Sequence, residues 1–162
     1  MAGFVSHFTN RLDAKGRVSV PATFRAALVR DGFDGLYCFP SPHLEAVDAG
    51  GNDLIAEIQK RLDGYSTLTA DHDSVSTALF GISEILKIDG DGRVVLSQAI
   101  REHAGINDQV TFVGQGFKFQ IWEPERFKAH RAEAMKRALA VLAAPQPSAA
   151  QAGGDAAPGV VQ

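Results

Sequence analysis

The sequence predicts a β-rich α+β fold built from two tandem copies of one strand–turn–strand–helix unit, packed as a pseudo-twofold pair with flanking helices. Three observations predict it. The chain duplicates itself: Leu12–Arg25 and Ile88–Arg101 align over fourteen residues at an offset of 76. Each copy carries the same order of turn, strand and helix signals. The composition, 45% hydrophobic and 22% charged over 162 residues, is that of a globular protein. A single unit is too small to bury its own apolar face, whereas two can bury theirs together.

The duplication keeps both charge and apolar phase. Asp13/Asp89, Gly16/Gly92, Arg17/Arg93, Val18/Val94 and Arg25/Arg101 are identical pairs, and Leu12/Ile88, Val20/Leu96 and Phe24/Ile100 are apolar pairs. In each copy an apolar stretch ends at the Asp. A turn follows in which Gly16 or Gly92 can adopt a positive φ. A short strand alternates Val18 and Val20, or Val94 and Leu96. A brief helix begins near Pro21 or Ser97 and ends near Gly32 or Gly105, residues suited to those termini. The next strand is about Leu36–Phe39 in the first copy. In the second copy, Gln109–Val113 and Phe117–Trp122 flank Gly114-Gln115-Gly116 as a hairpin. A proline and a helix then follow in both: Ser41-Pro42-His43-Leu44-Glu45 is expected to mirror Glu123-Pro124-Glu125-Arg126-Phe127. Pro42 and Pro124 lie 82 apart, which puts about six extra residues in the second hairpin.

Between the copies, Leu54, Ile55, Ile58 and Leu62 have helical spacing. Gly50-Gly51-Asn52 interrupts that segment, which suggests two helices with Asn52 or Asp53 as a cap. The polar stretch Ser66–Ser76 leads to a short helix near Val75–Phe80. The last helix spans about Pro124–Ala143, and the Pro/Ala/Gly/Ser/Gln-rich tail is expected to be disordered. The expected divisions are residues 1–62 for the first repeat with its helix, 63–82 for a connection, 83–143 for the second repeat with the C-terminal helix, and 144–162 for the tail.

Charge and cysteine content narrow the function classes. With 16 basic and 19 acidic side chains, the chain is not a protein that coats polyanions indiscriminately, so any nucleic-acid surface must be local. The lone Cys38, in the run Leu36–Phe39, excludes an internal disulfide and a thiolate-rich metal site and reads as a buried strand thiol. No apolar stretch is long enough to span a bilayer. The opening residues lack a basic segment followed by a long apolar run, so no signal peptide is expected and a cytoplasmic location is. Asp89-Gly90-Asp91-Gly92 is spaced like a calcium loop, but Arg93 and Ile100 occupy the fifth and twelfth positions, where ligands belong. Asp71-His72-Asp73 reads as a solvated loop without partner ligands. No nucleophile turn, Walker loop or dinucleotide fingerprint is present, so neither an enzyme nor a cofactor is expected.

The repeated Asp-x-x-x-Arg units resemble the swapped-hairpin domain of the SpoVT-AbrB DNA-binding class. Two in one chain of this size resemble the bacterial MraZ family. Leu12–Arg25 and Ile88–Arg101 carry the resemblance, supported by Val113-Gly114 and Ile121-Trp122, and it covers roughly residues 1–143. It implies tandem AbrB-like swapped hairpins forming a pseudo-twofold β-barrel. It also implies a cytoplasmic, nucleoid-associated regulator that binds direct repeats upstream of the division and cell-wall gene cluster, represses its own operon and assembles into rings. Ser97 departs from the proline of the first copy.

The charge distribution independently separates the two copies. Residues 1–30 hold Arg11, Lys15, Arg17, Arg25 and Arg30 against Asp13, a net +4; residues 83–106 hold Lys87, Arg93 and Arg101 against Glu84, Asp89, Asp91 and Glu102, a net −1. Asp91 stands where the first turn has Lys15. Phosphate repels an acid, so Arg11, Lys15 and Arg17 are the expected DNA contacts. Asp13, Gly16, Asp89, Gly92 and Arg93 are expected to shape the turns. Asp13–Arg17 and Asp89–Arg93 can equally be ion pairs that close each turn, which leaves Arg17 with either role. The alternative from another class is a scaffold or protein-interaction module on the same fold.

Overall fold

The computed structural model describes residues 3–146. The first repeat comprises β1 (His7–Arg11), β2 (Arg17–Ser19), α1 (Ala22–Asp31), β3 (Leu36–Pro40), β4 (Val47–Gly50) and α2 (Asn52–Leu62). After α3 (Ala70–Ser76) and a π-helical turn over Thr77–Gly81 come β5 (Glu84–Leu86), β6 (Arg93–Val95), α4 (Gln98–Ala104), β7 (Gln109–Gly114), β8 (Phe119–Trp122) and α5 (Pro124–Ala143). This is a mixed α+β fold. One six-stranded antiparallel sheet has the order β1-β7-β8-β4-β3-β5, and β2 pairs with β6 in a separate two-stranded ribbon.

The two copies interleave rather than sit side by side. Exchanging equivalent strands (β1 with β5, β3 with β7, β4 with β8) reverses the sheet order and leaves it unchanged. The axis of that exchange runs between β4 and β8, where Asp48 lies opposite Gln120, and through the ribbon, where Val18 lies opposite its own counterpart Val94. The turn bonds repeat in the same way: Val20 N–H donates to Gly92 O and Leu96 N–H to Gly16 O, both at 3.0 Å.

Strand alternation sorts the side chains into two apolar clusters. Leu36, Cys38, Val47, Ala49, Val110, Phe112, Phe119 and Ile121 leave one sheet face and pack with Val18, Val20, Val94 and Leu96 of the ribbon segments and with Phe24, Leu28 and Ile100 of α1 and α4. Tyr37 and Phe39 leave the other face, against Leu54, Ile58 and Leu62 of α2. On that face Asp48 is buried yet satisfied, accepting from Gln120 Nε2 at 2.9 Å and Lys118 Nζ at 3.1 Å.

Local signals explain most element ends. Gly32 and Gly105 adopt φ of 79° and 67° and cap α1 and α4 as left-handed residues. Ser97 Oγ accepts the Ile100 N–H and donates to Glu84 Oε2. The first repeat differs from expectation after β3. Pro42 starts no helix; residues 42–46 bend back and β4 follows, so β3–β4 is a hairpin equivalent to β7–β8. The Pro42–Pro124 equivalence and its six-residue insertion are therefore replaced by a correspondence in chain order, α2 following β4 as α5 follows β8. Gly50 ends a strand instead of interrupting a helix, and α2 is one helix. Its first N–H groups are capped from outside the segment: the Asp31 carboxylate, at the end of α1, accepts from the Asn52 and Asp53 amides. The segment near Val75 starts earlier than expected, because Thr69 Oγ1 accepts the His72 N–H and nucleates α3; Asp71-His72-Asp73 is thus helical, not a loop. The C-terminal helix has the expected bounds. Of the expected disordered tail, residues 147–162 lie outside the described residues.

Cys38 is fully buried, and burial pushes its thiol up to about 12. The native protein at pH 8 is therefore expected to leave a thiol-disulfide reagent unreacted, with one equivalent released in denaturant. Rapid native labelling would show that β3 opens locally.

Candidate nucleic-acid interface

Each Asp-x-x-x-Arg turn is a closed hydrogen-bonded cycle. In the first, Asp13 N–H donates to Arg17 O at 2.9 Å and Gly16 N–H to Asp13 O at 3.0 Å. The Asp13 carboxylate accepts the Lys15 and Arg17 amides at Oδ1, both at 2.9 Å, and Arg17 Nε at Oδ2 at 2.6 Å. In the second, Asp89 accepts the Asp91 and Arg93 amides at 2.9 Å and Arg93 Nε at 3.3 Å. Gly16 and Gly92 take φ of 76° and 77°, a region that disfavours a side chain.

These bonds favour the ionised carboxylates. The Arg17 backbone N–H, with its guanidinium and the Lys15 amide, lowers Asp13 to about 2, and the Arg93 backbone N–H likewise lowers Asp89. A folded value below the unfolded one means the contribution is complete above about pH 4 and disappears as pH falls through about 2. Near neutrality both turns are fixed.

The two turns lie at opposite ends of the β2–β6 ribbon, because Arg17 pairs with Val95 and Arg93 with Ser19. Val18 and Val94 point into the core, so Arg17, Ser19, Arg93 and Val95 share the outward face. The two arginines are 76 positions apart in the chain, and antiparallel pairing puts them on one surface.

The sister turns differ in free charge. Lys15 is exposed, and its side chain has no hydrogen-bond or ion-pair partner among the described residues. Arg93 is held by two acids, with Nη2 at 3.3 Å from Asp91 Oδ2 in addition to Asp89. The first turn thus presents one uncompensated cation, while the second carries two acids on one arginine. Arg17 keeps its side chain 33% exposed despite its ion pair. Arg11 is exposed at the end of β1, opposite Gln109. Alternation puts it on the strand face of His7 and Thr9, whereas Asn10 turns to the ribbon and donates from Nδ2 to Ser19 O at 2.8 Å. Lys15 and Arg17 thus belong to one turn, and Arg11 lies outside it at the end of β1. Asn10 was not legible as a ribbon anchor, since only the fold brings it to Ser19.

No cluster of three or more His, Cys, Asp or Glu able to hold a metal occurs among the described residues, and no described helix is long and apolar enough to cross a membrane.

Comparison with known proteins adds a second line. The family described as "MraZ protein, putative antitoxin-like" matches residues 79–142. A protein of Beijerinckia indica named transcriptional regulator MraZ is 60% identical over 137 residues, covering 85% of this chain and 84% of the relative. One of the same name from Methylocella silvestris is 59% identical over the same coverage. Another from Rickettsia bellii is 40% identical over 136 residues, 83% of this chain and 91% of the relative.

Proposed function

This chain belongs to the MraZ family of transcriptional regulators, and from that premise we infer that it is a sequence-specific, DNA-binding repressor of its own operon. It is a regulator of transcription and not an enzyme. Its operator is a set of direct repeats upstream of the division and cell-wall gene cluster, read by the first Asp-x-x-x-Arg turn. Lys15 is the phosphate contact, Arg17 the side chain with a fork able to address a guanine edge, and Arg11 an outlying phosphate contact. One observation carries this reading. Of two sister turns on one ribbon, only the first leaves a cation unspent; in the second an acid, Asp91, stands in place of Lys15 and engages Arg93.

The working form is a ring-like homo-oligomer in the cytoplasm, associated with the nucleoid. Met135, Leu139 and Leu142 of α5 are 61%, 71% and 83% exposed at helical spacing, an apolar stripe that a second copy would cover. A ring presenting several weak turns to repeated sites gains affinity by linkage, which reconciles a net charge of −3 with a polyanionic partner. The interleaved halves support a swapped-hairpin origin for the sheet and ribbon.

Salt titration of binding to the upstream duplex tests the reading. A steep linear fall of log affinity with log salt, with preference over a scrambled duplex, is expected. Native mass of the complex gives the subunit number. A protein that assembles but binds neither duplex would be the scaffold module instead.

A further inference from the structure

We propose that Arg25 and Arg101 are reciprocal positioning residues: the guanidinium on the helix of each repeat holds the turn of the other. The duplication retains both arginines, yet neither faces its own turn. Arg25, on α1, lies directly over Gly92 of the second turn: a Cβ there would sit 2.5 Å from Arg25 Nη1 and 2.6 Å from its Cζ. Arg101, on α4, lies over Gly16 of the first turn, with its Cζ 4.0 Å from the equivalent point. Gly92 thus serves twice, once for its positive φ and once to leave room for the crossing side chain, whereas at Gly16 a Cβ would meet Arg101 only at van der Waals distance.

The backbone closes each crossing. Arg25 Nε donates to Val20 O at 3.1 Å, and the amide of the same Val20 donates to Gly92 O. A guanidinium of the first repeat is therefore linked through one residue to the turn of the second. On the other side the Leu96 amide donates to Gly16 O, but Arg101 Nε is buried and has no acceptor. The brace on the second turn is tight and complete. The brace on the first turn is looser and one bond short.

The electrostatics differ in the same sense. Arg25 sits against the turn of Asp89 and Asp91, where a cation is attracted. Arg101 sits beneath the turn of Lys15, where it adds to positive potential and has no acid of that turn to hold it except Asp13, already taken by Arg17. The looser brace therefore belongs to the turn with the free cation. Loss of Arg101 should release the Lys15 turn, and loss of Arg25 the Asp91 turn. The consequence for operator affinity rests on the function proposed above; the crossing itself does not.

Amide hydrogen exchange on the full chain, read on fragments spanning residues 13–17 and 89–93, tests the crossing. Arg101→Gln is expected to speed exchange several-fold at 13–17 and leave 89–93 unchanged, and Arg25→Gln to do the reverse. Acceleration confined to the variant's own repeat, equal in both turns, or absent would overturn the proposal. Should Arg25→Gln fail to fold, Arg25→Lys, which keeps the charge and loses the fork, is read in its place, and Arg101→Gln decides alone if both fail. Binding to the upstream duplex supplies the second readout. Arg101→Gln is expected to lower affinity about tenfold with the salt slope unchanged, as a displaced contact would, and Arg101→Lys to recover part of it. A slope reduced by about 0.9 per bound subunit would make Arg101 a phosphate contact and overturn the positioning role. If the parent binds no DNA, the function above fails while the exchange pattern still decides the crossing.

Discussion

Replacing Lys15 by glutamate is expected to abolish measurable operator binding at physiological salt while leaving the thermal midpoint within about a degree of the parent. The Lys15 side chain is exposed and forms no hydrogen bond or ion pair among the described residues, and its amide bond to Asp13 survives the substitution, so little folding stability is lost. Alanine at the same position should weaken binding uniformly across sequences and flatten the salt dependence by about one phosphate per subunit. Arg17→Ala should cost about 1–3 kcal/mol per contact and relax sequence preference, since a bidentate side chain carries discrimination that a point charge does not. It also frees Asp13 to repel the backbone, so Asp13→Asn in the same chain separates the two effects. Arg11→Ala should matter least. The mirror experiment is Asp91→Lys, which dresses the second turn like the first and should raise non-specific affinity. Fluorescence anisotropy with a short duplex checks all of these. If folded Lys15→Ala and Arg17→Ala proteins both bind as the parent does, the first turn is not the reading surface.

The largest stability loss is expected at Phe24. This α1 residue is 1% exposed, and its ring meets three others: Phe4 and Phe8 edge-on at 5.4 and 5.6 Å, and Phe119 at 4.9 Å. It joins the chain's start, β1 and β8 in one cluster. Phe24→Ala should cost about 3–5 kcal/mol, and Phe24→Leu about 1–1.5 kcal/mol, because leucine refills most of the space. Urea unfolding monitored by circular dichroism measures both, and an alanine cost below about 1 kcal/mol would mean that the four-ring cluster closes around the vacancy. Its counterpart Ile100 is aliphatic and equally buried, so the two halves share a plan while filling it with different side chains.

How legible was this in the sequence? The duplication, the two glycine-centred turns, the left-handed caps at Gly32 and Gly105 and the last helix were readable, because each depends on residues within one turn of chain. Misreadings arose where distant residues decide. Pro42 looked like a helix start because Pro124 is one, but in the first repeat the chain needs β4 to reach β8, and residues 42–46 bend accordingly. The cap of α2 comes from Asp31, twenty-one residues upstream of Asn52, which no local rule finds. At the candidate site, the charge difference between the turns was legible from Lys15 and Asp91. The shared outward face of Arg17 and Arg93 was not, since it follows from antiparallel pairing across 76 positions. Nor was the strand face of Arg11, which follows from the alternation of β1 against β7.

That β1 bonds only to β7 within the sheet, and β2 only to β6, bears on how the protein is born. A nascent chain stopped after α2 holds two strands with no mates and half of an apolar cluster. Pairings this remote in sequence are slow to close. The ribosome must deliver β8 before the interior can seal, so the growing polypeptide spends most of its synthesis in need of shelter. A prematurely terminated product would then be prey for proteases rather than a half-working regulator.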